Sequence, residues 1–114
     1  LVMKDGKAIF AESCLYTYPN HQFANGKIIA SLPLTAHDSL RHDLISHGVA
    51  VVKALSGPNG AYHIEQFINA EGDIIFLEIA ARPAGGLVAR MYESNSNVNI
   101  FTLDLAVKLN RDIV

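Results

Sequence analysis

The stretch Gly60-Ala61-Tyr62-His63-Ile64-Glu65-Gln66-Phe67, followed by Ile68-Asn69-Ala70-Glu71-Gly72-Asp73-Ile74-Ile75 and Phe76-Leu77-Glu78-Ile79-Ala80-Ala81-Arg82-Pro83-Ala84-Gly85-Gly86, decides how this chain is read. Tyr62–Phe67 and Asp73–Ile79 are rich in β-branched, aromatic and aliphatic residues and flank Glu71-Gly72, so they predict an antiparallel hairpin. A two-residue turn at Glu71-Gly72 pairs Ala70 with Asp73, Phe67 with Phe76, Glu65 with Glu78 and His63 with Ala80. Glu65 and Glu78 then face each other directly. Arg82, two pleats beyond Glu78, falls on the same face because side chains alternate with period two.

Two carboxylates whose Cβ atoms stand about 5 Å apart repel unless a positive group lies between them. A divalent cation is the economical answer, and Mg²⁺ accepts a few carboxylate oxygens while keeping waters or substrate phosphates in its other positions. A turn of three residues would slip the register by one and send the two glutamates to opposite faces. The ordinary reading, a solvated sheet face, is weakened by Phe67 and Phe76 on that same face. It is weakened further by Arg82, a fork of donors that leads into Pro83-Ala84-Gly85-Gly86, where glycines permit close backbone approach to a ligand.

Working outward, Asp5-Gly6 between Leu1–Lys4 and Lys7–Tyr16 predicts a first hairpin with a type I′ turn. Tyr18–Gly26 reads as a loop, and Lys27–Leu32 as a short edge strand ended by Pro33. From Thr35 the apolar period becomes about 3.6 through Leu40, Leu44, Ile45, Gly48, Val51, Val52 and Leu55. That predicts an amphipathic helix of about 20 residues up to Gly57-Pro58, with Thr35 and Asp38 as a capping arrangement. A short helix over Leu87–Glu93, a polar loop over Ser94–Asn99 and a last helix from about Asn99 to Leu109 complete the chain. The expected fold is α+β: one antiparallel sheet of two hairpins plus an edge strand, with the two main helices on one face.

The chain has 114 residues, half of them hydrophobic and 18% charged. One core can hold a chain of that length, so 1–114 is read as a single domain. Nine basic against eleven acidic residues give a net charge of −2, which argues against nucleic acid as a partner. No apolar run approaches the ~20 residues needed to span a bilayer, so no membrane partner is expected, and the single Cys14 fits a reducing, cytoplasmic compartment. The chain opens on Leu1 in the middle of a strand-like run, so it is read as a piece of a larger protein. His37, His42 and His47 are spaced by five, not by the three or four that align ligands on a helix, and no metal role is expected of them. His63 shares the Glu65 face and is expected to be structural, and Cys14 is read as a buried, inert thiol. Glu93 and Asn99 are read as solvated loop residues.

The same residues carry a resemblance. His63-Ile64-Glu65, then Glu71-Gly72-Asp73, then Phe76-Leu77-Glu78-Ile79-Ala80-Ala81-Arg82-Pro83-Ala84-Gly85-Gly86 resembles the C-terminal lobe of the ATP-grasp ligases, in particular carboxylate-amine and amino-acid ligases. The likeness implies that Glu65 and Glu78 bind Mg²⁺, with Mn²⁺ as a substitute, on the phosphates of ATP. It implies that Arg82 contacts the phosphoryl group or acyl phosphate as the catalytic arginine, and that Gly85 and Gly86 approach the nucleotide. Glu12 and Ser13 lie on a strand whose counterpart in the family approaches the phosphates. The implied activity is that of an ADP-forming ligase joining a small-molecule carboxylate and an amine through an acyl phosphate. The lid, its lysines and the adenine hinge would lie in a missing N-terminal part of the same protein, leaving the isolated lobe inactive. Where the family usually has a metal-binding Asn, this chain has Ala80, which motivates the alternative of a non-catalytic ATP-grasp-like binding or assembly module.

Overall fold

The computed structural model describes residues 1–111. It is α+β, as expected, but the strands form three small antiparallel sheets instead of one. In chain order these are β1 (Val2–Lys4), β2 (Lys7–Phe10), β3 (Cys14–Tyr16), β4 (Ser31–Pro33), β5 (Gly60–Ala61), β6 (His63–Ile68) and β7 (Ile74–Ala80). The helices are α1 (Ser39–Ala54), α2 (Val88–Ser96) and α3 (Ile100–Lys108). The sheets are β2-β1-β5, β3-β4 and β6-β7.

The expected Lys7–Tyr16 strand is broken at 11–13, so its second half leaves the first hairpin and pairs with β4. The edge strand sits at Ser31–Pro33, not Lys27–Leu32, and the 18–26 loop holds a short 3-10 helix over Asn20–Asn25. Asp5 and Gly6 both have positive φ, 50° and 74°, as a type I′ turn requires. Helix α1 is shorter than periodicity predicts because Asp38, not Thr35, is its N-cap: the Asp38 carboxylate accepts from the Leu40 N–H at 3.0 Å. Helix α2 runs on to Ser96 and absorbs half of the expected polar loop. Asn99 caps α3 through the Thr102 N–H.

β1 explains the layering. Its successive side chains point to opposite faces, Val2 into a cluster with Ala61, Ala89, Ile100, Leu103 and Val107, and Met3 into one with Val52 and Tyr62. The helices therefore divide between two faces, α2 and α3 on one and α1 on the other, in place of the expected single helical face. Ile64 and Ile79 join the Met3 cluster, which seats the base of the second hairpin against α1.

Candidate functional site

The second hairpin does not have the two-residue turn that its sequence suggests. The Asn69 N–H donates to the Asp73 carbonyl at 3.0 Å, leaving Ala70, Glu71 and Gly72 as a three-residue turn in which Gly72 has φ +91°. The register near the tip is accordingly slipped: Ile68 pairs with Ile74, Phe67 with Ile75 and Gln66 with Phe76. The expected Phe67–Phe76 and Ala70–Asp73 pairs are thus not formed. A β-bulge then inserts Leu77 as an extra residue of β7, and below it Glu65 faces Glu78, Ile64 faces Ile79 and His63 faces Ala80. Two departures from the simple hairpin cancel, and the carboxylate pair survives.

Glu65 is half-buried and held from the first half of the chain. One oxygen accepts from the Asn20 Nδ2 at 2.8 Å, the other from the Tyr16 hydroxyl at 3.3 Å. Both donors are neutral, so they aim the carboxylate without cancelling its charge. Glu78 is exposed on the neighbouring strand. β7 ends at Ala80, and the Arg82 N–H turns back to the Ala80 carbonyl at 2.9 Å, so Arg82 does not simply continue the pleat. Its guanidinium donates to the Pro83 carbonyl at 2.9 Å instead of bridging the glutamates. Gly85 and Gly86 are exposed in the loop that follows, where an added Cβ at Gly85 would meet the Arg82 guanidinium at 3.9 Å.

His63 reports on all of these groups at once. Burial lowers its pKa first, the carboxylates of Glu65 and Glu78 push it up, and Arg82 pushes it down. His63, Glu65, Glu78 and Arg82 therefore share one electrostatic neighbourhood.

Glu65 and His63 line a cavity of about 550 Å³ together with Glu12, Ser13, Cys14, Tyr16 and Tyr92. Burial, reinforced by the Glu65 charge, pushes the Tyr16 hydroxyl up to about 12. Burial and a contact with the Cys14 thiol raise Tyr92 as well. Cys14 is a free thiol, but it is half-exposed on this wall and not buried as expected. Glu12 is tied to Arg41 at 3.3 Å, and the Ser13 hydroxyl is buried with no hydrogen-bond partner among the described residues. Glu93 and Asn99 bond to each other at 3.0 Å and fasten α2 to α3.

No signal in the sequence pointed to Tyr16 and Asn20 as partners of Glu65, which lie 49 and 45 residues from it. Among the described residues no three His, Cys, Asp or Glu side chains converge as a closed metal cage. Two carboxylates on facing strands are nonetheless a donor set that suits Mg²⁺, which takes one or two carboxylates and completes its shell with phosphates and water.

An α+β fold that presents paired carboxylates, an arginine and a glycine-bearing loop on one hairpin is the setting in which similarity to known proteins acquires meaning. The chain is 29% identical over 108 residues to the L-arginine-specific L-amino acid ligase of Bacillus subtilis, an alignment covering 95% of this chain. It spans 26% of that relative's length. No family model matches the chain. Among the described residues no helix is long and apolar enough to cross a membrane.

Proposed function

We propose that this chain is the metal- and phosphate-binding lobe of an ADP-forming, ATP-dependent carboxylate-amine ligase of the ATP-grasp type. The observation that carries the reading is the facing of Glu65 and Glu78 across the bulge, with Arg82 in the same electrostatic neighbourhood. The similarity to an amino acid ligase along nearly the whole chain supports the same class. Glu65 and Glu78 would hold Mg²⁺, or Mn²⁺ in its place, which when bound neutralises charge on the phosphates of ATP.

The remaining roles belong to side chains. Tyr16 and Asn20 keep Glu65 pointed toward the phosphates. Arg82, freed from the Pro83 carbonyl, supplies a forked donor set to the equatorial oxygens of the transferring phosphoryl group. Gly85 and Gly86 let the loop backbone come close to the nucleotide. In the reaction class a substrate carboxylate oxygen attacks the γ-phosphorus and ADP leaves. An amine nitrogen then attacks the acyl carbon, loses a proton and displaces inorganic phosphate. The cavity beside Glu65, which Glu12 and Ser13 also line, is where an amino-acid substrate would sit.

Ala80, in place of a third ligand, favours the second reading of a non-catalytic binding module. In the intact parent protein that the first reading requires, Glu78→Gln should abolish ADP release, whereas unchanged function would establish the second. For the 114-residue chain alone, calorimetric titration with MgATP should show no binding tighter than millimolar. Micromolar affinity would overturn its assignment as one lobe of a larger site.

A further inference from the structure

We propose that Gln66 is the positioning residue that holds Glu65 and Glu78 face to face, an inference that rests on the metal-binding reading above. The hairpin tip sets one register and the strand base uses another. If the tip register ran on without the bulge, Glu65 would oppose Leu77, and Glu78 would oppose Ile64 on the other face of the ribbon. Insertion of Leu77 is what brings the carboxylates together. A bulge leaves one residue out of the ladder, a loss that contacts outside the ladder offset; below the break Ile64 and Ile79 pack against the Met3 cluster, and above it the contacts are polar.

Gln66 is the last residue of the tip register before the break, and its side chain is bound at both ends to α1. The Nε2 donates to the Leu44 carbonyl at 3.2 Å, and the Oε1 lies 2.5 Å from the His47 Nδ1. A carbonyl only accepts, so the amide nitrogen must face Leu44 and its oxygen must face His47. His47 therefore carries a proton on Nδ1. Leu44 and His47 are three apart on one helical face, and Gly48 beside them brings α1 against Ile64, where an added Cβ would stand 3.2 Å from the Ile64 Cδ1. Helix α1 thus grips the residue on each side of Glu65. Strand alternation turns Glu65 itself away, toward Tyr16 and Asn20.

The test is nuclear magnetic resonance on the 114-residue chain, with cross-strand NOEs to read the register and Mn²⁺ line broadening to read the carboxylate pair. In the unsubstituted chain NOEs should link Glu65 to Glu78, and Mn²⁺ should broaden both residues. Gln66→Leu should move the Glu65 NOEs to Leu77, leave the Ile68–Ile74 contacts in place and weaken Mn²⁺ binding by about tenfold or more, the usual scale for a lost supporting contact. Gln66→Asn, one methylene too short to reach both Leu44 and His47, should do the same and keeps the test open if the leucine variant fails to fold. Glu65–Glu78 NOEs that persist in both variants would overturn the proposal, as would weakened Mn²⁺ binding with the register intact. If Mn²⁺ broadens neither glutamate in the unsubstituted chain, the metal reading fails, while the NOEs still decide whether Gln66 sets the register.

Discussion

Both hairpins of this chain carry one extra residue in their second strand, Ile9 in the first and Leu77 in the second. In the first the break lies beside Val2 and Met3, which are 0% and 2% exposed and point into two different apolar clusters. A slip of β2 there would put exposed Ile9 in place of Phe10, which packs against the Val2 cluster, so contact with the core favours the register. In the second the break is surrounded by exposed Phe67, Ile75, Phe76 and Leu77. Below the break the packing of Ile64 and Ile79 against Met3 favours the observed pairing, and at the break itself two hydrogen bonds between Gln66 and α1 add to the preference. The same irregularity is thus core architecture in one hairpin and site architecture in the other.

The contrast is broken most forcefully by truncating one apolar side chain in each. Met3→Ala should cost about 3 kcal/mol in urea denaturation, since it empties a packed position. Phe76→Ala, 42% exposed, should cost less than about 1 kcal/mol. Comparable losses would mean that the second hairpin is held by its apolar side chains beyond the bulge as well as at its base. Next in size is Asp104→Ala. Its buried carboxylate accepts from the Ala61 N–H at 2.7 Å and from Lys108 at 2.8 Å, tying β5 to α3. Loss of about 2 kcal/mol is expected, because the amide is left buried and unpaired while Lys108 can turn to water.

These differences also explain what could be read from the chain in advance. Asp5-Gly6 was legible because both turn positions need positive φ and little else fits. The Glu65–Glu78 facing was anticipated on a two-residue turn that the structure replaces with a three-residue turn and a bulge. Nothing local in the Glu71-Gly72 dipeptide announces the bulge, and the helix contacts beside it, Leu44 and His47 to Gln66, span 22 and 19 residues of sequence. The breaking of Lys7–Tyr16 into two strands was likewise hidden, since its partner Ser31–Pro33 is chosen by long-range pairing. Alternation puts Arg82 on the Glu78 face, but β7 ends at Ala80, and the turn there, which directs the guanidinium to Pro83, is a backbone matter that alternation does not foresee.

A smaller effect compares the tips alone. Gly6 and Gly72 have φ of 74° and 91°, and an added Cβ would meet nothing within 4 Å at either. Alanine at each should therefore cost only the backbone strain, about 1 kcal/mol. At Gly6 that cost should appear in global unfolding, because β1 lies in the core. At Gly72 it should appear chiefly as faster local amide exchange of the hairpin tip. Equal effects on global unfolding would show that the second tip is as tightly coupled to the core as the first.

The smallest effect is the most particular to the candidate site. Burial holds the His63 pKa below its ordinary value, with Arg82 acting in the same direction and both glutamates opposing. Between the ordinary value of about 6.5 and the lower folded value, the unfolded chain binds more protons than the folded one, so stability should fall as pH is lowered through that window. Glu65→Gln removes the larger of the two opposing charges and should lower the His63 pKa further, read from its imidazole resonances. Arg82→Gln should raise it. Mg²⁺ held by the glutamates would add positive charge beside the ring, so titration in its presence should also shift the His63 midpoint downward. A midpoint that ignores Mg²⁺ but responds to Glu65→Gln would keep the shared neighbourhood and remove the cation from it, leaving the facing glutamates of the second hairpin a charged surface with no metal role.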